Sequence, residues 1–210
     1  MEAPKGAFFL PLDQIFSIFI IRMGQDITKK QLRRTILDYR KLLSQEEYEK
    51  RNNLLLDKIS DHVAKSDPKA IHTFLPIVKN KEPDVRPLFE SWWKNDIQLI
   101  TSKTDFDSHE MIHFNLTQDT ELVENNLGIP EPTGAQPIDH FEPDLVFVPL
   151  LAADRHLNRV GYGGGYYDQL LSSSSASKIG ISLNSPMDEI TQKNDWDIKL
   201  DVLITPFGRY

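Results

Sequence analysis

The chain has 210 residues, 40% of them hydrophobic, with no cysteine and a formal net charge of −7. That is enough apolar material for one domain with a sizeable core, and the lack of cysteine excludes a disulfide framework, a thiolate nucleophile and a cysteine metal site, in keeping with a reducing cytoplasm. The acidic balance argues against a general nucleic-acid or anionic-membrane binder, so an anionic ligand must be met by local positive charge.

Residues 1–26 read as an N-terminal extension. The apolar run over 8–21 is broken by Pro11, Asp13 and Gln14. It is too short to span a bilayer, and no small-residue cleavage site follows it. The expectation is an added strand or helix, or an extension upstream of an original start at Met23, with a single domain over 27–210.

From Ile27 the pattern is helical. Leu32, Ile36, Tyr39 and Leu43 recur at helix spacing behind a cap at Thr28, while Lys29, Lys30, Arg33, Arg34, Arg40 and Lys41 occupy the other faces. Lys29 and Arg33, four apart, share one face. Such a cluster is either a solvated face or a grip on a polyphosphate. Ser44 with Glu47 three residues on predicts a second capped helix through Tyr48, Leu55 and Ile59.

A strand is predicted over 70–75, ended by Pro76, then a loop from Ile77 to Pro83 that carries Glu82, then a helix over 85–94 with Trp92 and Trp93 in the core. Strands follow over 97–101 and 111–116. His109 and His113 point in no common direction on such a strand, so no metal pair is expected. Residues 126–132 have turn chemistry, and 144–149 (DLVFVP) is a buried strand.

Four of the ten glycines then stand at Gly161, Gly163, Gly164 and Gly165. Such a cluster signals backbone at positive φ or a close approach. Tyr166, Tyr167 and Asp168 open a helix directly after it. A glycine turn leading into a helix offers backbone N–H groups to an anion. Arg159 adds fixed positive charge, and Asp168 a carboxylate able to hold a metal ion beside phosphates. Neither G-x-x-x-x-G-K-[ST] nor G-x-G-x-x-G is present, so the nucleotide-phosphate site expected here is of another type. A strand over 178–183 and the tail 196–206 complete the chain.

The string from Asn158 to Asp168, NRVGYGGGYYD, resembles the signature of the 5-formyltetrahydrofolate cyclo-ligase (5,10-methenyltetrahydrofolate synthetase) family, with Val160 and Gln169 as conservative departures. The turn over 126–132, the DLVFVP strand and the tail WDIKLDVLITP are similar to further family segments, so the resemblance spans roughly 27–206. The match is poorer over 182–195, where Asn184 and Thr191 replace the family's Gln and Pro. By this resemblance Lys29, Lys30 and Arg33 contact ATP phosphates, together with Arg159, Gly161, Gly163, Gly164, Gly165 and Tyr167. Ile77, Glu82, Tyr162 and Tyr166 bind the folate. Arg159, Tyr166 and Asp168 carry the chemistry, and Asp168 with Asp201 holds Mg²⁺.

Alternating strands and helices predict an α/β three-layer sandwich, a mostly parallel central sheet with helices on both faces. Ligands in such folds bind at the carboxyl ends of strands. The implied activity is ATP- and Mg²⁺-dependent conversion of 5-formyltetrahydrofolate to 5,10-methenyltetrahydrofolate by a cytoplasmic monomer, with no nucleic-acid or membrane partner. A non-catalytic or thiamine-linked nucleotide-binding paralogue of the same fold is the alternative.

Overall fold

The structure is a computed structural model and describes residues 27–210, so the reading of 1–26 lies outside the described residues. Helix α1 (Lys29–Leu42) opens with the expected cap. Thr28 accepts from the Gln31 backbone while the Gln31 side chain returns to the Thr28 backbone, a reciprocal pair that satisfies two end N–H groups. Helix α2 (Gln45–Ser66) is capped by Ser44 on Glu47 N. Here the reciprocal half is missing, because the Glu47 side chain bonds Arg51 instead.

Strand β1 (Ala70–His72) is shorter than expected. After it come a 3-10 turn (Val78–Asn80), a second (Arg86–Leu88) and helix α3 (Phe89–Lys94). The predicted 85–94 helix is thus a 3-10 turn with Pro87 in its first positions, followed by a shorter α-helix. Trp92 is in the core as expected, and Trp93 donates to the Leu116 carbonyl.

The main sheet then gains β2 (Gln98–Asp105), β3 (Glu110–Leu116), β6 (Pro137–Ile138), β7 (Leu145–Pro149), β10 (Ser177–Ile181), β11 (Val202–Thr205) and β12 (Gly208–Arg209). Two small pairs stand apart from it, β4 (Glu121–Glu124) with β5 (Pro130–Thr133) and β8 (Ala152–Ala153) with β9 (Arg159–Val160); helix α4 (Tyr166–Ser172) follows β9.

The sheet order is β12-β11-β10-β7-β1-β2-β3-β6. The strands from β11 to β2 run parallel, while β12 at one edge and β3 beside β2 run antiparallel. Strand β7 shows why the centre forms. Leu145 and Phe147 face a cluster with Leu55 and Ile59 of α2 and with Trp92, whereas Val146 and Val148 face Leu170 and Leu171 of α4. Alternate side chains thus bury both faces, as a central parallel strand requires. Leu32 and Ile36 of α1 pack on Leu151, Ala152 and Val160. The three-layer expectation holds. Among the described residues, no helix is long and apolar enough to cross a membrane.

Candidate active site

A cavity of about 560 Å³ lies at the carboxyl ends of β1 and β7, between the glycine loop, α1 and the β2–β3 hairpin. The loop leaves β9 and enters α4. Gly163 has φ +105° and Gly165 φ +76°, backbone that a side chain strains against. A Cβ on Gly163 would also press within 3.1 Å of the Arg33 guanidinium. Arg33 in turn donates to the Gly161 carbonyl at 2.8 Å. Helix α1 and the loop therefore brace each other.

Lys29, Arg33 and Arg159 line this cavity together with Gly161, Gly163, Gly164, Gly165 and Tyr167. Lys29 reaches Asp197, a lining residue the sequence reading passed over. Burial alone would raise the Asp197 carboxyl, but bonds from Lys29 and Asn194 hold it below the ordinary range. Arg159 is buried, and both its terminal nitrogens meet Asp168 Oδ1 at 2.9 Å, while its NH1 also reaches the Ile198 carbonyl. The Ile198 N–H also donates to Oδ1. Asp168 Oδ2 takes part in none of these bonds.

Ile77, Glu82, Tyr162 and Tyr166 line the same cavity. Glu82 is 3% exposed. Its Oε1 accepts from the Tyr162 hydroxyl and its Oε2 from Ile77 N at 2.6 Å. Burial pushes the carboxyl up, and these two bonds with the nearby Arg40 charge oppose the push. The sequence pattern groups Arg40 with the basic residues on the other faces of α1. It is instead 1% exposed, donating to the Leu150 carbonyl at 2.7 Å and to the Tyr162 hydroxyl at 3.2 Å. The signal was available, because Leu32, Ile36 and Arg40 recur every fourth residue and so share the buried face. Tyr162 and Tyr167 are both pushed well above the usual phenol range by burial first, then by Glu82.

Two expected residues are not brought to the cavity. Lys30 is exposed and absent from its lining, because the next position along a helix turns about 100° away from Lys29. Asp201 precedes β11, at the amino end of the sheet, where its carboxylate accepts from Lys178 N at 2.8 Å. A metal role for Asp201 in this site is therefore corrected on geometry. Asp154 accepts from the backbone of His156, Asn158 and Ile190 and fixes the loop before β9. Trp196, 70% exposed, stands at the rim and was also missed.

Among the described residues, no three His, Cys, Asp or Glu side chains gather to hold a metal ion. Mg²⁺ commonly takes one or two carboxylates and completes its shell with phosphates and water. Asp168, lining the cavity with one oxygen outside its ion pair, fits that arrangement.

A glycine loop flanked by basic side chains and a buried carboxylate thus line one cavity. Residues 25–206 match the model of the 5-formyltetrahydrofolate cyclo-ligase family. The chain belongs to the 5-formyltetrahydrofolate cyclo-ligase family. As a member it is an enzyme of the ligase class. It is 29% identical over 133 residues to 5-formyltetrahydrofolate cyclo-ligase of Escherichia coli, covering 60% of this chain and 72% of that protein. The structure of 5,10-methenyltetrahydrofolate synthetase from Aquifex aeolicus superposes with a TM-score of 0.73 at 28% identity, over 87% of this chain and 92% of that one. The synthetase from Mycoplasma pneumoniae gives 0.69 at 25% identity, over 86% and 99%.

Proposed function

We propose that this chain, as a single cytoplasmic domain over 27–210, uses ATP and Mg²⁺ to convert 5-formyltetrahydrofolate to 5,10-methenyltetrahydrofolate, releasing ADP and phosphate. The observation that carries the reading is one cavity lined both by the glycine loop with Lys29, Arg33 and Arg159 and by the buried carboxylate of Glu82. A nucleotide site alone has no use for the second feature.

The formyl oxygen of an amide is a poor leaving group. Transfer of the γ-phosphoryl group to it makes it a good one, after which N10 attacks the formyl carbon and phosphate departs. The protein's part is positioning and charge neutralisation. Lys29, Arg33 and Arg159 screen the phosphates, and the loop's N–H groups face them. Asp168 would hold Mg²⁺ together with those phosphates, where the ion supplies charge neutralisation on the phosphoryl group in transit. Glu82 offers two acceptor oxygens to the adjacent N–H donors of the aminopyrimidine edge. For this, the substrate takes over or shares the bond that Tyr162 now makes. Arg40 keeps the Glu82 charge compensated in either arrangement.

The test is ultraviolet absorbance of the methenyl product, using purified protein with 5-formyltetrahydrofolate and MgATP. A rise that needs both ATP and Mg²⁺ is expected. A rise without ATP, or none while nucleotide still binds, would overturn the reading.

A further inference from the structure

Three polar side chains form a transverse chain across one face of β1, β2 and β3, beside the cavity. His72 Nε2 lies 2.7 Å from Ser102 Oγ, and Ser102 Oγ lies 2.7 Å from His113 Nδ1. Ser102 and His113 stand opposite each other in the β2–β3 pairing, and Thr104 and Met111 form the next pair on the same face. Ser102, Thr104 and Met111 line the cavity. His72 is fully buried, with the Phe141 ring stacked at 6.0 Å and the Tyr167 ring edge-on at 6.2 Å.

The direction of this chain follows from one atom. His72 Nδ1 is buried and has no partner among the described residues. Orphaned buried N–H groups are rarer than orphaned acceptors, which puts the lone pair on Nδ1 and the proton on Nε2. His72 then donates to Ser102. A hydroxyl has a single proton, so Ser102 donates in turn to His113 Nδ1 and keeps a second lone pair for another donor. Burial lowers both rings, His72 to about 3, so both are neutral near pH 7.

The reaction proposed above requires a base. N10 carries a proton in the substrate that is absent from the methenyl product. We propose that Ser102 accepts the N10 proton while passing its own hydroxyl proton to His113 Nδ1. The assignment rests on the functional reading above. In this step the N10 lone pair forms the new bond to the formyl carbon, and the electrons of the N10–H bond remain on N10. The bond from carbon to the phosphorylated oxygen then breaks with its pair leaving on phosphate. The product is the N5–CH–N10 cation, and His113 returns its proton to the departing phosphate or to water. N10 is an aryl-substituted nitrogen, acidic once it has added to carbon, so a weakly basic imidazole suffices. His72 is a positioning residue, fixing which way the serine proton points.

A single-turnover experiment on the full chain separates the steps, with ADP from quenched samples reporting phosphoryl transfer and ultraviolet absorbance reporting methenyl formation. His113→Asn keeps an oxygen near the Nδ1 position to accept from Ser102, yet cannot take up a proton. Ser102→Ala removes the carrier. In both variants ADP formation is expected to stay at the wild-type rate while methenyl formation slows by about 10²-fold, the usual worth of a general base. Circular dichroism checks each fold, and a misfolded Ser102→Ala leaves His113→Asn as the deciding variant. Wild-type methenyl formation in His113→Asn would overturn the assignment, as would ADP and methenyl falling together. Wild-type protein that forms no methenyl product would overturn the functional reading and this step with it.

Discussion

The two ends of the parallel strands use polar side chains for different purposes. At the amino ends, Asp144 accepts from Lys69 N and Ala70 N, and Asp201 accepts from Lys178 N. Each carboxylate stands one residue before a strand and ties down the start of the neighbouring one. Both are exposed. At the carboxyl ends, the charged side chains of Glu82, Arg40 and Arg159 are buried around or beside the cavity, next to the neutral ring of His72. Charge at one end fastens backbone; at the other it is kept desolvated, where a change of partner costs or gains far more.

The sharpest way to break this comparison is the pair Asp168→Asn and Asp201→Asn. Asp168→Asn retains an Oδ1 to accept from Arg159 and Ile198 but removes the charge proposed to hold Mg²⁺. Turnover by the absorbance assay should fall by about 10²–10³-fold, the worth of one charged transition-state contact, and the melting temperature should drop as well, because the buried Arg159 loses its counter-charge. Asp201→Asn should turn over at the wild-type rate; equal losses in the two variants would erase the distinction between the ends.

Next in size is Glu82→Gln. Loss of a buried charged acceptor of about 1.5–3 kcal/mol should raise KM for the folate at least tenfold while leaving nucleotide affinity untouched. A KM unchanged for folate would remove Glu82 from the substrate site.

Acid titration separates the ends in a third way. His72 has its folded pKa lowered to about 3 from an ordinary 6.5 by burial, then by His113. Its contribution to stability is complete above pH 6.5 and is lost as pH falls toward 3, at a slope of about 1.4 kcal/mol per pH unit for one proton. Asp144 is held below its ordinary 3.8 by the Ala70 and Lys69 N–H groups, so its contribution fades only below that value. Urea midpoints measured from pH 7 to 3 should therefore decline before Asp144 titrates, and His72→Gln, which retains a donor toward Ser102, should make that decline shallower, leaving the part that His62 and His113, also lowered by burial, contribute. The smallest effect is Asp201→Ala, costing about 0.5–1.5 kcal/mol of stability at constant activity.

Much of the fold was legible because its signals are local. Period-four apolar positions, the Thr28 and Ser44 caps and the run DLVFVP each needed only a few neighbours. The glycine loop was legible for the same reason, since the cluster signals positive φ or a close approach, and Gly163 and Gly165 adopt the former. What was not legible depends on which end of a strand a residue meets. Asp168 and Asp201 look alike in a linear string, yet one follows a loop at the carboxyl ends and the other precedes β11. The His72–Ser102–His113 chain joins residues 30 and 11 positions apart through strand register, and no spacing rule anticipates an antiparallel β3 beside a parallel β2. Arg40 was the exception, a buried cation readable from its helical phase.

Three tryptophans divide unevenly between core and cavity. Trp92 is 3% exposed within the apolar cluster, and Trp93 packs against it. Trp196 stands in water at the rim of the cavity. Its indole emission should therefore be red-shifted and open to quenching by iodide while Trp92 is not. Replacing Trp196 with Phe would leave a spectroscopically silent rim, so the native chain carries its own optical gauge of whether the cavity is filled.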